Sequence, residues 1–209
     1  GADEILFMDI VASLYGRNNI LDVVEDAARD VFVPLTVGGG IRSLGDIVSV
    51  LRSGADKVAI NTAAIGRPEF LQEAANTFGS QCIVLSVEAK WQTDHWECYT
   101  DHGRERTYKD VLDWVREAEN LGVGEVLVTS VDNEGTRKGF DINLVKKIRE
   151  MIDIPVIACG GAGTAGHLLD IFQETEVDAV CCASLFHYSI TTLPGLKSKL
   201  RERGIKVRV

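Results

Sequence analysis

Carboxylates stand at or just beyond the ends of three apolar segments, where they could move protons. Asp9 lies in the first segment, Glu88 ends the fourth, and Asp132 and Glu134 follow the fifth. A carboxyl group acts as a general acid or base when it lies within hydrogen-bond reach of the reacting proton. We therefore take Glu88, Glu134 and Asp9 as candidate catalytic residues. For Asp132, helix capping or loop solvation is an equally good interpretation.

Glycines follow two of the other segments and are suited to binding anions. Gly38-Gly39-Gly40 and Gly160-Gly161 lack a Cβ, so their backbone N–H groups can approach an anion closely. The next apolar segment in each half ends in small polar residues, Asn61-Thr62 and Ala183-Ser184. Two such loops at one barrel mouth would suit a substrate with a phosphate at each end. Tight turns without a ligand are the alternative interpretation.

The two glycine loops belong to a pattern that occurs twice in the chain. Val33–Gly40 returns as Ile154–Gly161, and this is one of three blocks that recur in the same order. Recurrence of this kind predicts a duplicated βα unit with two related ligand sites. We expect one domain spanning residues 1–209, built from halves of about 1–80 and 81–209.

The elements that would position these residues alternate along the chain. The predicted strands are Ile5–Ile10, Leu35–Gly38, Lys57–Asn61, Ile83–Glu88, Glu125–Val131, Pro155–Gly160 and Ala179–Ser184. The predicted helices are Asn19–Asp30, Leu44–Ser53, Glu69–Thr77, Tyr108–Leu121, Asn143–Met151 and Ala165–Gln173. Continuous apolar strands separated by helices are typical of a parallel sheet covered by helices. The pattern leaves a closed (β/α) barrel and an open doubly wound sheet as the two choices.

The number of strands favours an incomplete barrel. Seven are evident, and a closed barrel of this class needs eight. The strand without a partner in the repeat would precede Gly1. We therefore expect that a first βα unit of about forty residues is missing from this chain. An open, rearranged or intermolecularly completed barrel would result, and its exposed strand edges would favour self-association.

Composition excludes several functions. A net charge of −9 without a basic block argues against nucleic acid as a partner. No apolar stretch reaches the ~20 residues that span a bilayer. Five cysteines without a CxxC pair suit buried thiols in a reducing cytoplasm, and we expect neither a metal site nor a cofactor. The four histidines are interpreted as surface or packing residues.

Several segments resemble the cyclase subunit of imidazole glycerol phosphate synthase, the HisF family. They are Leu6–Ser13, Thr36–Ile41, Gly54–Ala64 and Ala158–Gly163. The sister isomerase of histidine biosynthesis shares the two phosphate loops. However, Asn61–Ala64 and Thr129–Thr136 are more similar to the cyclase.

The resemblance implies a (β/α)₈ TIM barrel of the ribulose-phosphate-binding type. It further implies that ammonia from a HisH-like glutaminase partner reacts with a bisphosphorylated ribulosyl aminoimidazole nucleotide. The products would be imidazole glycerol phosphate and an aminoimidazole carboxamide ribotide. The implied phosphate ligands are Gly40, Asn61 and Thr62 at one end, and Gly135, Gly161, Ala183 and Ser184 at the other.

Two departures from the family bear on catalysis. The family uses two aspartates, of which the first falls in the segment expected to be missing and the second corresponds to Glu88. Glu134 stands where the family has aspartate. Each replacement moves the carboxylate about one methylene outward, and a misplacement near 1 Å can lower a rate ~10²-fold. We expect little or no cyclase activity from this chain alone.

The opposite barrel face also matches the family. Glu4, Lys57 and Glu125 stand at the starts of strands and would form a charged gate for ammonia. Asp56 corresponds to a residue of the surface that docks the glutaminase. A solvated polar rim closing the barrel is the alternative.

Two further functions remain open at this point. One is a HisF-like subunit that uses ammonia in surface-polysaccharide sugar biosynthesis. The paired phosphate loops favour the cyclase over it, because a sugar nucleotide carries its phosphates together. The other is a non-catalytic barrel fragment that self-associates.

Overall fold

The computed structural model describes residues 1–9 and 20–208. Within them the strands are β1 Ile5–Met8, β2 Leu35–Gly38, β3 Lys57–Ile60, β4 Ile83–Trp91, β5 Trp96–Thr100, β6 Glu105–Asp110, β7 Glu125–Ser130, β8 Val156–Cys159 and β9 Ala179–Cys181. The α-helices are α1 Ile20–Asp30, α2 Leu44–Arg52, α3 Thr62–Gly66, α4 Glu69–Phe78, α5 Val111–Asn120, α6 Ile142–Arg149, α7 Ala165–Thr175, α8 Ser184–His187 and α9 Leu193–Glu202. Ile10 and Asn19, which the sequence places at the ends of two elements, lie outside the described residues.

The sheet is parallel and barrel-like. Its hydrogen-bonded order is β1-β2-β3-β4-β7-β8-β9, and every neighbouring pair in this path is parallel. Helices follow the strands and cover the outside, as in a (β/α)₈ barrel. The prediction of seven parallel strands is confirmed for the described part of the chain, where β1 and β9 form the two ends of the path.

Alternation along the strands separates an outer core from a barrel interior. Leu85 packs with the helices in the outer core, whereas its neighbour Val84 packs with Ala59 and Leu127 in the interior. Side chains two apart on a strand share a face. Glu88 is four residues beyond Val84, so it also faces the interior, at the carboxyl edge of the sheet.

The sequence analysis missed an antiparallel hairpin. The predicted fourth strand ends at Glu88, but β4 continues to Trp91 and pairs with β5, which pairs in turn with β6. The helix predicted from Tyr108 begins only at Val111. The reason is local: the Asp110 carboxylate accepts hydrogen bonds from the first backbone N–H groups of α5 and caps it there.

Two further boundaries differ from the prediction. The seventh parallel strand ends at Cys181, and Ser184 opens the short helix α8 instead of ending the strand. The C-terminal helix α9 was not predicted; it begins after Thr192, whose side chain accepts from the Gly195 N–H. Between residues 20 and 208, no helix has the length and hydrophobicity of a transmembrane span.

Candidate active site

A cavity of about 260 Å³ opens at the carboxyl edge of the first four parallel strands. It brings together five of the residues that the sequence singles out: Asp9, Gly40, Asn61, Thr62 and Glu88. The remaining lining residues are Met8, Gly39, Ile41, Arg42, Ala59, Ile60, Ala63, Ser86, Asp101 and His102. The cavity therefore joins one glycine loop, one polar loop and three carboxylates, those of Asp9, Glu88 and Asp101.

Glu88 is held in this cavity by contacts to both of its carboxylate oxygens. Its Oε2 accepts a hydrogen bond from the Gly103 N–H at 3.1 Å, and its Oε1 lies 3.7 Å from Nδ1 of His102. Burial raises the pKa of Glu88 above that of an ordinary glutamate. The Gly103 N–H and His102 act against that rise, whereas the charges of Glu134 and Asp101 add to it.

The turn between β5 and β6 supplies both groups that approach Glu88. Asp101, His102 and Gly103 have φ values of 49°, 60° and 73°, all in the left-handed region. For a residue other than glycine this region is unfavourable by roughly 1–2 kcal/mol. A Cβ at Gly103 would also lie 2.8 Å from a methyl carbon of Val131. The turn is thus held in a strained conformation directly above the carboxylate.

The first glycine loop comes close to the end of β1. Gly39 has a φ of 98°, and a Cβ there would overlap the backbone carbonyl oxygen of Asp9. The Asp9 N–H in turn donates to Gly38 O at 2.9 Å. Only glycine permits this approach, which places Asp9 beside the loop. On the other side of the cavity, Asn61 Nδ2 donates to Tyr99 O at 3.2 Å and ties the polar loop to the hairpin.

The second set of predicted phosphate ligands lies at the same edge, but outside this cavity. Gly161 follows β8 with a φ of 98°, and its carbonyl accepts from the Gly139 N–H at 2.8 Å. Gly135, with a φ of 72°, lies in the loop after β7. Ala183 and Ser184 lie at the start of α8, just after β9. Because β7, β8 and β9 are parallel neighbours, these residues share one edge of the sheet.

The two acidic residues after β7 occupy different surroundings. Asp132 Oδ2 accepts from the Trp91 N–H at 2.8 Å, so this carboxylate caps the end of β4 outside the cavity. Glu134 is exposed and raises the pKa of Glu88 through its charge. Of the predicted catalytic residues, Asp9 and Glu88 line the cavity and Glu134 stands in the loop beside the second glycine turn.

At the opposite edge three charged residues meet. Lys57 Nζ lies 3.0 Å from Glu4 Oε2 and 2.6 Å from Glu125 Oε1. Burial acts to lower the pKa of Lys57, but the bonds to the two carboxylates outweigh it and raise the pKa overall. Asp56 caps β2 instead, since its Oδ2 accepts from the Leu35 N–H at 2.8 Å.

Sequence reasoning missed His102, which it assigned to the surface or to packing. The structure places this side chain in the cavity beside Glu88, with 28% of it exposed. The sequence did contain a sign of this turn: Thr100-Asp101-His102-Gly103 carries turn-forming residues between two segments of β-forming residues.

Within residues 1–9 and 20–208, no group of three His, Cys, Asp or Glu side chains could hold a metal ion.

Similarity to known proteins shows the family to which this chain belongs. The model of the family described as "Histidine biosynthesis protein" matches residues 1–192. The chain is 48% identical to the imidazole glycerol phosphate synthase subunit HisF of Bacillus cereus (strain G9842), and 49% identical to that of Geobacillus thermodenitrificans (strain NG80-2). Each alignment covers all of this chain and 83% of the relative. The expectation that the first βα unit is missing is not borne out. The chain belongs to the histidine biosynthesis protein family, and these two relatives are HisF subunits.

Proposed function

We propose that this protein is the cyclase subunit of imidazole glycerol phosphate synthase and acts in the cytoplasm. It uses ammonia to convert a bisphosphorylated ribulosyl aminoimidazole nucleotide to imidazole glycerol phosphate and an aminoimidazole carboxamide ribotide. The observation that carries the proposal is the partly buried Glu88 in a cavity shared with Gly40, Asn61 and Thr62. Ring closure after ammonia addition requires protons to be moved between substrate atoms, which a partly desolvated carboxyl group can do. The relatives' shared name supports the choice of reaction, and the comparisons do not favour the polysaccharide alternative.

Turnover with ammonium salt as the nitrogen source tests this function directly. Purified protein is mixed with the bisphosphorylated nucleotide, and release of imidazole glycerol phosphate is followed by chromatography. We expect product formation that depends on both ammonia and the nucleotide. Binding of the nucleotide without any product would contradict the proposal.

Glu88 and Asp9 are proposed as the acid–base groups, with Glu134 as a third carboxylate at the mouth. Glu88 faces the interior at the end of β4, and Asp9 enters the cavity from β1. Burial favours the protonated form of Glu88, so this group can give up a proton as well as take one. Glu134 lies in the loop between the cavity and the second glycine turn, and its charge affects Glu88.

Two phosphate sites are proposed at the two ends of the substrate. The first comprises Gly40, Asn61 and Thr62; the second comprises Gly135, Gly161, Ala183 and Ser184. Matched contacts in the two halves support this pairing. Asp56 accepts from the Leu35 N–H at 2.8 Å, and Asp178 accepts from the Val156 N–H at 2.9 Å. Equivalent carboxylates thus begin equivalent strands, as expected for duplicated halves.

Thr62→Ala is expected to raise the KM for the bisphosphorylated nucleotide by roughly tenfold or more. A hydrogen bond to a charged group is worth about 1.5–3 kcal/mol, and 1.4 kcal/mol corresponds to a tenfold change in affinity. Steady-state kinetics with ammonia measures the effect. Thr77→Ala is the control, because Thr77 is also exposed but bonds to Glu73 O within α4. An unchanged KM in the Thr62 variant would remove this residue from the phosphate site.

A glutaminase partner is proposed to dock at the edge that carries Lys57. There the ammonium group joins Glu4 and Glu125 at the mouth of the barrel interior. The interior above it is lined by apolar side chains, among them Ala59, Val84 and Leu127. A charged ring over an apolar interior can admit neutral ammonia and exclude ions.

Lys57→Met is expected to lower glutamine-dependent turnover with the glutaminase subunit by tenfold or more, while ammonia-dependent turnover stays within about twofold. The reason is that the substitution breaks the charged ring but leaves the cavity at the other edge intact. Lys109→Met is the matched control, since Lys109 pairs with Glu117 away from this ring. Equal loss of both activities would show a general structural defect.

A further inference from the structure

We propose that His102 is a positioning residue for Glu88, holding its carboxylate from the tip of the β5–β6 hairpin and favouring the form that takes up a proton. The inference rests on the proposed function of Glu88 and adds a residue to the same site. His102 lines the cavity and points its Nδ1 at Glu88 Oε1 across 3.7 Å. That separation is slightly longer than a hydrogen bond, and such contacts often tighten only when substrate is bound.

The same turn engages both oxygens of the carboxylate. The Gly103 N–H donates to Oε2 at 3.1 Å, while His102 faces Oε1. The backbone donor fixes one oxygen and the imidazole approaches the other. Together they restrict the rotation of a side chain that is longer by one methylene than aspartate. The hairpin thus supplies orientation at the point where the longer side chain most needs it.

The other ring nitrogen of His102 makes no contact that explains the position of the imidazole within the described residues. This nitrogen, Nε2, is buried and makes no hydrogen bond among the described residues. A buried nitrogen without a partner is unfavourable, and the left-handed backbone at His102 is unfavourable as well. Because both features of His102 are unfavourable, we infer that its other ring nitrogen, Nδ1, has a role, and this nitrogen faces Glu88.

The charges around the pair explain why Glu88 requires such a partner. Burial, Glu134 and Asp101 all favour its neutral form, and Asp9 lines the same cavity. Gly103 and His102 act in the opposite direction. Removing the imidazole leaves burial and the acidic neighbours in place, so the carboxyl group should bind its proton more tightly.

The test is a titration of Glu88 by NMR, with ¹³C label in the glutamate side-chain carboxyl groups and Glu88→Gln to assign the signal. We expect His102→Ala to shift the Glu88 titration to higher pH. His102→Asn should reverse part of the shift, because its amide can donate from nearly the position of Nδ1 and asparagine tolerates a positive φ. This measurement requires no turnover, so its outcome is separate from that of the proposed function.

Kinetics supplies the second measurement. For the ammonia-dependent reaction at neutral pH we expect His102→Ala to lower kcat on the order of tenfold. This is less than the ~10²–10⁴-fold loss expected when a general acid or base is itself removed. KM should change little, and the pH profile should move with the Glu88 titration. His95→Gln is the control, since His95 lies in the same hairpin extension but pairs with exposed Asp94. A Glu88 titration that is unchanged or shifted downward in His102→Ala, or shifted equally in His95→Gln, would overturn the proposal.

Discussion

Glu88→Gln is expected to lower kcat for the ammonia-dependent reaction by ~10²–10⁴-fold, with little change in KM. The amide keeps the size of the side chain and its contact with the Gly103 N–H, so the cavity should be preserved. What it loses is the ability to exchange a proton. Steady-state kinetics of the purified variant measures the effect, and circular dichroism checks that the fold is retained.

Asp132→Asn is the matched control for this variant. Asp132 is also a carboxylate at the carboxyl edge of the sheet, since it follows β7, the parallel neighbour of β4. However, it accepts a hydrogen bond from the Trp91 N–H and lies outside the cavity. Its amide variant should keep kcat within about threefold. Nearly full activity in Glu88→Gln, or equal losses in both variants, would contradict the acid–base role of Glu88.

The pH dependence of the activity should reflect the raised pKa of the partly buried Glu88. Burial raises the pKa of Glu88 above the value of about 4.3 that an exposed glutamate shows. If the carboxylate must first accept a proton, kcat/KM rises as pH rises through this raised pKa. The rising limb should therefore lie at higher pH than for an exposed glutamate, and it should be absent from Glu88→Gln. A rising limb that survives the substitution would assign it to another group.

Gly161→Ala is expected to reduce the free energy of unfolding by about 3 kcal/mol. Two causes act together: the φ of 98° excludes an ordinary side chain, and a Cβ there would overlap the carbonyl group of Gly139. That carbonyl belongs to the loop after β7, so the loop would have to move away from the end of β8. For a chain of this size the loss corresponds to a fall in Tm of roughly 6–12 °C, measurable by calorimetry.

Gly66→Ala provides the comparison. Gly66 ends α3 with an ordinary φ, and a Cβ there would meet no atom within 4 Å. We expect the free energy of unfolding of Gly66→Ala to increase by less than about 1 kcal/mol, because alanine restricts the conformations of the unfolded chain. Similar Tm values for the two variants would show that the second glycine turn relaxes easily.

Most of the barrel could be predicted because its central strands are buried on both faces. Such strands appear as continuous apolar runs, and the glycines after β2 and β8 mark where they end. The hairpin was harder, because β6 is largely exposed and β5 has a buried glutamate. Glu97 is tolerated inside because Arg106 binds it at 2.6 Å, a contact between residues that the pattern alone does not join.

For the candidate site, the structure brings five of the predicted residues into one cavity, and their functional roles stay predictions. Glycine loops and carboxylates at strand ends are local features, so Gly40, Asn61, Thr62, Asp9 and Glu88 could be found one by one. The contact of His102 with Glu88 could not, because it depends on how far β4 extends and where the hairpin turns back. Asp132 shows why the pattern leaves two interpretations open: a carboxylate at a strand end is equally suited to capping a backbone N–H, and the structure shows that Asp132 does so.

The continuity of β4 has a consequence for how such an enzyme can diverge. On this unbroken strand, Glu88 stands where the parallel pairing with β7 overlaps the antiparallel pairing with β5, and the strand ends three residues later at Trp91. Changes in the turn between β5 and β6, which contacts Glu88, can therefore alter the protonation of this carboxyl group while every parallel strand stays the same. Natural variants that differ there should vary in optimum pH more than in thermal resistance.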